Sequence, residues 1–221
     1  MSKRRYFVNK LHHSSKRDYL NRMIKQKVKG MQIASKYGFE YWDGNRKYGY
    51  GGYKYIPGRW KDVAKKLIKI YSLNNNSKIL DVGCGKAFLL YEIKLILPKI
   101  KICGFDISSY AISKAKDSIK KNLFVHNACD KFPFKNKEFD LVLTLATLHN
   151  LPIHCLFKSI KEIERVGKKK YIMVESYNNF QELFNLQCWA LTCKSFFSIE
   201  DWKWVFKLNK YKGDFEFICF K

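Results

Sequence analysis

Two short motifs of acids and glycines carry the most informative chemistry in this sequence. Asp81 is followed by Gly83 and Gly85, and Asp106 comes after a gap long enough for one helix and one strand. Glycine lets the backbone turn sharply and approach a ligand, and a carboxylate at a strand end can accept two hydrogen bonds from a ribose diol. This order of glycine turn, helix, strand and acid is the one that a nucleotide-type cofactor needs. The motifs therefore favour an enzyme over a plain α/β domain.

An alternation of strand and helix patterns would position these motifs. Apolar runs predict strands at 78–82, 100–105, 123–126, 139–145 and 170–175. Helical spacing of apolar residues predicts helices at 87–97, 109–121, 153–165, 180–192 and 199–206. Strands separated by helices pair in parallel, and ligands bind outside the carboxyl ends of such strands. Alternating apolar residues at 214–220 predict a last, antiparallel strand.

The Asp-x-Gly-x-Gly spelling, with Asp106 behind it, resembles the motifs of the class I S-adenosylmethionine-dependent methyltransferases. The resemblance covers residues 77–175 well and is weak over 1–60 and 180–221, and Ala87 stands where the family usually has a third glycine. It implies an α/β, Rossmann-like fold with a seven-stranded, mostly parallel sheet, helices on both faces and an N-terminal helical lid. It also implies S-adenosylmethionine as the cofactor.

The resemblance implies roles for the residues of the glycine turn. Gly83 and Gly85 would let the loop pass under the methionine part of the cofactor. Asp81 would orient that loop or reach the amino group of the cofactor.

Three residues further along would bind the nucleoside part. Asp106 would bind both ribose hydroxyls, and Ile107 would lie on the adenine face. Asn127, or Asp130 as a fallback, would face the adenine amino group. A capping role for Asp106 at the next helix is the alternative.

Two polar residues at later strand ends are candidates for acting on the methyl acceptor. His149 follows the fourth strand and is either a general base or a residue that shapes the pocket. Glu175 ends the fifth strand and is either a substrate contact, a second candidate base or a salt-bridge partner. Methyl transfer from a sulfonium can also proceed mainly by positioning, so that a base is not obligatory.

Residues 1–58 form a separate part of the predicted organisation, ahead of a methyltransferase domain at 59–221. They comprise a basic arm at 1–17 expected to be flexible, a helix at about 18–37, and a lid rich in tyrosine and glycine. We expect the lid and its flank to bind substrate through Tyr48, Tyr50, Tyr53 and Arg59. Ordinary packing of a tyrosine-rich loop is the alternative, and Trp42 and Trp60 are expected in the core.

Charge and cysteine content restrict the partners and the compartment. The net charge is +24, and residues 1–70 hold 19 cations against 4 acids. Lysine dominates arginine by 36 to 7, which favours compositional drift over specific phosphate recognition. Seven cysteines without a signal-peptide pattern predict reduced thiols and a cytoplasmic protein, with no structural metal and no membrane partner.

The sequence as a whole predicts methyl transfer to a small polar or anionic metabolite. A hydroxyl or amine on a phosphorylated metabolite, sugar or nucleotide sugar of surface-glycan metabolism is the favoured acceptor. The motifs that nucleobase-modifying relatives carry after the fourth strand are absent, so nucleic acid is an unfavoured partner. An RNA methyltransferase that uses the basic N-terminus, and a non-catalytic cofactor-binding regulator, are the alternatives.

Overall fold

The computed structural model describes residues 2–13, 17–50 and 54–221. Its centre is a six-stranded sheet in the order β3-β2-β1-β4-β5-β6, and every pair of neighbouring strands is parallel. The strands are β1 (Lys78–Val82), β2 (Lys101–Asp106), β3 (Leu123–Val125), β4 (Phe139–Leu145), β5 (Gly167–Ser176) and β6 (Asp214–Cys219).

Helices cover both faces of this sheet. The helices are α1 (Asn9–His13), α2 (Tyr19–Ile24), α3 (Lys27–Ala34), α4 (Phe39–Trp42), α5 (Lys61–Tyr71), α6 (Phe88–Ile96), α7 (Ser109–Ser113), α8 (Asp117–Lys120), α9 (Ile153–Val166), α10 (Phe180–Trp189) and α11 (Ile199–Leu208). Short 3-10 turns lie at Arg46–Tyr48 and Leu148–Asn150. One apolar layer packs beneath α5, α6 and α10, and another beneath α9 and α11.

This architecture confirms the Rossmann-like α/β prediction and corrects two of its details. The described residues form six strands where seven were expected. The prediction of an antiparallel last strand is wrong, because β6 runs parallel to β5. The physical reason is the connection: α10 and α11 carry the chain back across the sheet, which returns the next strand in the same direction.

Two predicted helices are each divided in the structure. The helix expected at 18–37 is α2 and α3, separated at Gln26, whose φ of 56° lies in the left-handed region. The helix expected at 109–121 is likewise α7 and α8, with the break at 114–116. Helical spacing of apolar residues is preserved across such breaks, so the sequence pattern does not reveal them.

The N-terminal arm is ordered over residues 2–12, which corrects the prediction that it is flexible. Arg4 forms a parallel bridge with Phe215 of β6. The buried Glu216 carboxylate accepts hydrogen bonds from the backbone N–H groups of Phe7 at 2.6 Å and of Val8 and Asn9 at 2.9 Å. An anion at the start of α1 satisfies helix-terminal donors, and the partner is too distant in sequence for a local pattern to show it.

A disulfide joins Cys129 to Cys155, and the other five cysteines are free. The prediction that all thiols are reduced is therefore wrong for this pair. The loop after β3 lies against the start of α9, which brings together two cysteines 26 positions apart. No helix within the described ranges is long and apolar enough to cross a membrane.

Candidate functional site

A cavity of about 600 Å³ opens at the carboxyl ends of β1, β2, β4 and β5. Its walls contain ten of the twelve residues that the sequence singled out: Asp81, Gly83, Gly85, Asp106, Ile107, Asn127, His149, Glu175, Tyr50 and Arg59. Tyr48 lies outside this lining, and Tyr53 lies outside the described residues. The parallel sheet thus brings most of the candidates to one crevice.

The glycine turn has a backbone that requires glycine. Gly83 and Gly85 have φ values of +75° and +55°. A Cβ atom on Gly83 would lie 2.1 Å from Thr147 Oγ1, and one on Gly85 would lie 2.7 Å from the Trp42 ring. The backbone N–H groups of Gly83 and Cys84 donate to the carbonyl of Phe105 at the end of β2. The turn is therefore held against the strand that ends in Asp106.

Asp106 is anchored by the backbone around it. Its carboxylate accepts hydrogen bonds from the N–H groups of Gly85 and Ser108, each at 2.8 Å. Burial raises the pKa of this carboxyl, and these N–H groups oppose the increase. Each carboxylate oxygen can accept a further hydrogen bond toward the cavity, which fits a ribose diol.

Asp81 is the second buried acid of this region. Burial, with a smaller contribution from Asp106, raises the pKa of its carboxyl to about 8. A buried carboxyl with a raised pKa is poised to ionise when a cation arrives. The amino group of a methionine-type ligand is such a cation, so Asp81 fits the expected cofactor.

The wall expected to face adenine combines apolar and polar groups. Ile107 is 54% exposed at the mouth of the cavity. Asn127 uses its Oδ1 atom to accept a hydrogen bond from the Cys129 N–H at 2.9 Å. The Nε2 atom of His126 is buried and has no hydrogen-bond partner among the described residues. This orphaned nitrogen fits a polar edge of a bound ring, and the sequence analysis did not select it.

His149 and Glu175 meet at the ends of β4 and β5. His149 Nδ1 accepts a hydrogen bond from the Glu175 backbone N–H at 3.2 Å, and its Nε2 atom lies 3.4 Å from Glu175 Oε2. Burial lowers the pKa of His149 to about 3, so its ring is neutral and carries its proton on Nε2. The contact is thus between a neutral donor and a carboxyl group.

Glu175 has the electrostatics of a proton acceptor that works near neutral pH. Burial raises the pKa of its carboxyl to about 7, against the opposing influence of Arg17 and Arg22. A general base is most effective when its pKa lies near the working pH. His149, whose Nδ1 lone pair is engaged by the backbone, is better suited to position this carboxyl.

Aromatic residues from the N-terminal half cover the cavity. Trp42 lies over Gly85 and donates from its Nε1 atom to Tyr37 O and Ser108 Oγ. The sequence analysis expected Trp42 and Trp60 in the core; both pack against buried apolar clusters, and both also line the cavity. Tyr50 accepts hydrogen bonds at its hydroxyl from the N–H groups of residues 191 and 192, at 2.6 and 3.1 Å. Tyr50, which with Trp42 forms an aromatic roof over the cavity, is therefore held against the segment after α10.

Cationic side chains also line the cavity. They are Arg17, Arg46, Arg59 and Lys194. Arg17 is held by His12, whose carbonyl accepts from Nη2 at 3.1 Å, and its guanidinium lies over the Trp189 and Phe220 rings. The sequence analysis missed the contribution of Val8, Leu11, His12 and Arg17, because the positions of these residues depend on contacts with distant parts of the chain, β6 and α10 among them.

Comparisons with known proteins agree with this geometry. A family described as "Methyltransferase domain" matches residues 73–215. A malonyl-acyl-carrier protein O-methyltransferase of Legionella pneumophila is 28% identical over 110 residues, which are 48% of this chain and 39% of that protein. The ribosomal RNA small subunit methyltransferase C of Buchnera aphidicola is 27% identical over 133 residues, which are 54% of this chain and 40% of that protein. The match therefore spans well under half the length of either relative.

A solved structure gives the same architecture. The YcgJ protein of Bacillus subtilis superposes with a TM-score of 0.53 and 18% sequence identity, covering 66% of each chain. At this identity the likeness concerns the fold.

Proposed function

The chain belongs to the methyltransferase domain family, and from that premise we propose that it methylates a small polar or anionic metabolite. It is a class I S-adenosylmethionine-dependent methyltransferase with a Rossmann-like fold. The acceptor that we propose is a hydroxyl or amine on a phosphorylated metabolite, sugar or nucleotide sugar. We further propose that the reaction takes place in the cytoplasm.

One observation carries the proposal of a small acceptor: the N-terminal arm of the chain forms part of the wall that covers the cavity. Val8, Leu11 and His12 belong to its lining, and Glu216 fastens their segment to β6. A polymer would have to displace this segment, whereas a metabolite fits beneath it. The roof thus supports an acceptor that is enclosed before transfer.

The charges around the cavity support a polar or anionic acceptor. Asp81 and Asp106 are assigned to the cofactor, which leaves Glu175 as the acid near the acceptor. Arg46, Arg59 and Lys194 line the same cavity, and guanidinium groups bind phosphate and carboxylate in a fixed geometry.

The side chains of the chain define a simple mechanism. When bound, S-adenosylmethionine would supply a methyl group on a positively charged sulfur, and the neutral thioether would leave as the acceptor atom takes the methyl group. Gly83, Gly85 and Asp106 would hold the cofactor in a fixed position, and the aromatic side chains that cover the cavity would exclude water. Glu175 accepts the proton of the acceptor hydroxyl or ammonium, and His149 keeps the carboxyl oriented through the contact at 3.4 Å.

Transfer of a radioactive methyl group tests the proposal. Purified protein is incubated with labelled S-adenosylmethionine and a fractionated cell extract, and the label is followed into metabolite, glycan, protein and RNA fractions. We expect the label in small anionic metabolites. Label confined to RNA or protein would reject the acceptor class while leaving the methyltransferase assignment intact.

An RNA acceptor is the second candidate, favoured by the basic N-terminal segment and by the ribosomal RNA methyltransferase relative. Its test is salt dependence, since neutralisation of several phosphates makes affinity fall steeply as salt rises. We expect RNA binding to be weak and abolished near physiological salt. Binding that persists there, with methyl transfer into a defined RNA, would replace the metabolite proposal. Cofactor binding without transfer to any fraction would instead favour a non-catalytic regulator.

A further inference from the structure

The adenine-facing wall of the cavity is built from two segments that a covalent bond joins. We propose that Cys129 and Cys155 form an exchange site for small thiols and disulfides, and that its redox state sets the affinity for the cofactor. This inference rests on the proposed function, because it concerns the regulation of the same site.

The bond lies where the two segments of the wall meet. Cys155 itself lines the cavity, at the start of α9. Cys129 is two residues beyond Asn127, and its N–H group donates to the Asn127 side chain. A displacement of Cys129 is therefore transmitted directly to the residue expected to face adenine.

Weaker contacts hold the same loop once the bond is opened. Ser159 Oγ donates to the Ala128 carbonyl, and the Glu162 carboxylate accepts from the Phe132 N–H at 2.7 Å. These hydrogen bonds keep the loop near α9 but do not fix Asn127 as a covalent link does. Reduction should thus loosen the adenine wall without unfolding the sheet beneath it.

The surroundings of the pair suit thiol exchange. Cys129 is partly exposed, whereas Cys155 is buried, so an incoming thiol reaches the Cys129 sulfur first. The exposed His154 has a ring nitrogen within 4.8 Å of both sulfur atoms. This polar side chain therefore lies beside the bond that exchange would break.

The reaction balances with a monothiol such as glutathione as the reductant. Its thiolate attacks Cys129 Sγ, the disulfide breaks, and Cys155 leaves as a thiolate that is then protonated. A second monothiol attacks the mixed disulfide, so that Cys129 is released as a thiol and the two reductant molecules form a disulfide. Two electrons and two protons pass to the protein, and glutathione disulfide reverses both steps.

The proposed cytoplasmic location favours a reversible role for this bond. Disulfides that form in a reducing compartment are usually transient and serve catalysis or redox sensing. A permanent structural role is therefore less suited to this pair than a reversible one.

The test measures cofactor affinity at defined redox states. The protein is equilibrated in glutathione buffers of varied composition, the fraction of the disulfide is measured by thiol alkylation and mass spectrometry, and S-adenosylmethionine affinity is measured by calorimetry. We expect the oxidised form to bind about fivefold more tightly than the reduced form, at the low end of typical coupling between sites.

Two variants separate the site from general effects of the reductant. Cys129→Ser combined with Cys155→Ser should bind with the weaker affinity in every buffer, whereas Cys103→Ser, a free cysteine outside the cavity lining, should respond like the wild type. Equal affinity in the two redox states, or a disulfide that never forms at high glutathione disulfide, would overturn the inference while leaving the methyltransferase intact. Failure of both redox forms to bind the cofactor would instead count against both proposals.

Discussion

The two halves of the cavity are built in different ways. The half that we propose for the cofactor is formed mainly by residues 81–127, and its polar groups are fixed by backbone hydrogen bonds such as those from Gly85 and Ser108 to Asp106. The half that we propose for the acceptor is lined by the arm, by Tyr50, by the ends of β4 and β5, and by the chain beyond α10. Side chains fasten these parts together.

We infer from this difference that the cofactor half serves the methyl-transfer chemistry in general, whereas the acceptor half determines which substrate is methylated. In the cofactor half, backbone hydrogen bonds hold the polar groups in fixed positions, which suits a cofactor that is the same in every reaction cycle. The acceptor half depends on buried side-chain networks, so substitutions there can alter its shape without disturbing the glycine turn. A substitution in one half should consequently impair the function of that half and leave the function of the other half unchanged, which variants can test.

The largest effect should come from Glu175→Gln in the acceptor half. Loss of a proton acceptor typically slows transfer by about 10²–10⁴-fold, whereas cofactor affinity should remain close to that of the wild type. The wild-type rate should also rise with pH through about 7, where Glu175 ionises, and then level off. Initial rates with labelled cofactor across pH measure both effects.

Glu200→Gln, an exposed acid on α11, is the matched control for this variant. Full activity of Glu175→Gln at every pH would remove the carboxyl from the reaction. A parallel loss of cofactor affinity would show that the two halves are not independent.

The next effect should come from Gly83→Ala in the cofactor half. The added methyl group would lie within 2.1–2.7 Å of three Thr147 side-chain atoms, at a backbone φ of +75°. Because of this clash we expect cofactor affinity to fall by about 100-fold, which corresponds to about 2.8 kcal/mol of binding free energy at 1.4 kcal/mol for each factor of ten. Calorimetry measures it, with circular dichroism as a check on folding. Gly38→Ala, where a Cβ meets nothing within 4 Å, is the control, and equal affinity in both variants would contradict the prediction.

A smaller effect should follow Glu216→Gln, which weakens the fastening of the arm. The carboxylate accepts from three backbone N–H groups and from the Tyr171 hydroxyl at 2.7 Å, and an amide cannot accept all of these bonds. We expect the free energy of unfolding to fall by about 2 kcal/mol, the scale of hydrogen bonds to charged groups. Denaturant titration measures it. The Michaelis constant for the acceptor should rise while cofactor affinity stays constant, and the reverse pattern would contradict the division into halves.

The smallest effect concerns the pH dependence of cofactor binding. Asp81, with a pKa of about 8, is protonated in the free protein at neutral pH and must ionise to pair with the cofactor amino group. Affinity should therefore rise with pH, by almost tenfold between pH 6 and pH 7, where a free amino group stays largely protonated. Asp81→Asn should remove the increase in calorimetric titrations. An equally steep profile in that variant would assign the titration to another group.

The same contrast explains how much the sequence could predict. The turn at Gly83 and Gly85 and the acid at 106 are local patterns, and β1 and β4 coincide with their predicted ranges. Trp42 and the residues of the arm were missed because their positions depend on Ser108 and Glu216, which are far away in sequence. The Cys129–Cys155 bond was missed for the same reason, and the direction of β6 depends on the path of α10 and α11.

The fastening of the arm to β6 also orders events during synthesis of the chain. Residues 3–9 leave the ribosome well before their partners at 214–216, which lie more than 200 positions later in the sequence. Because a domain generally folds as a unit, closure of this contact requires the chain to have been synthesised as far as β6. The arm can cover the acceptor region only after β6 has been synthesised, so enclosure of a substrate is among the last features of the site to form.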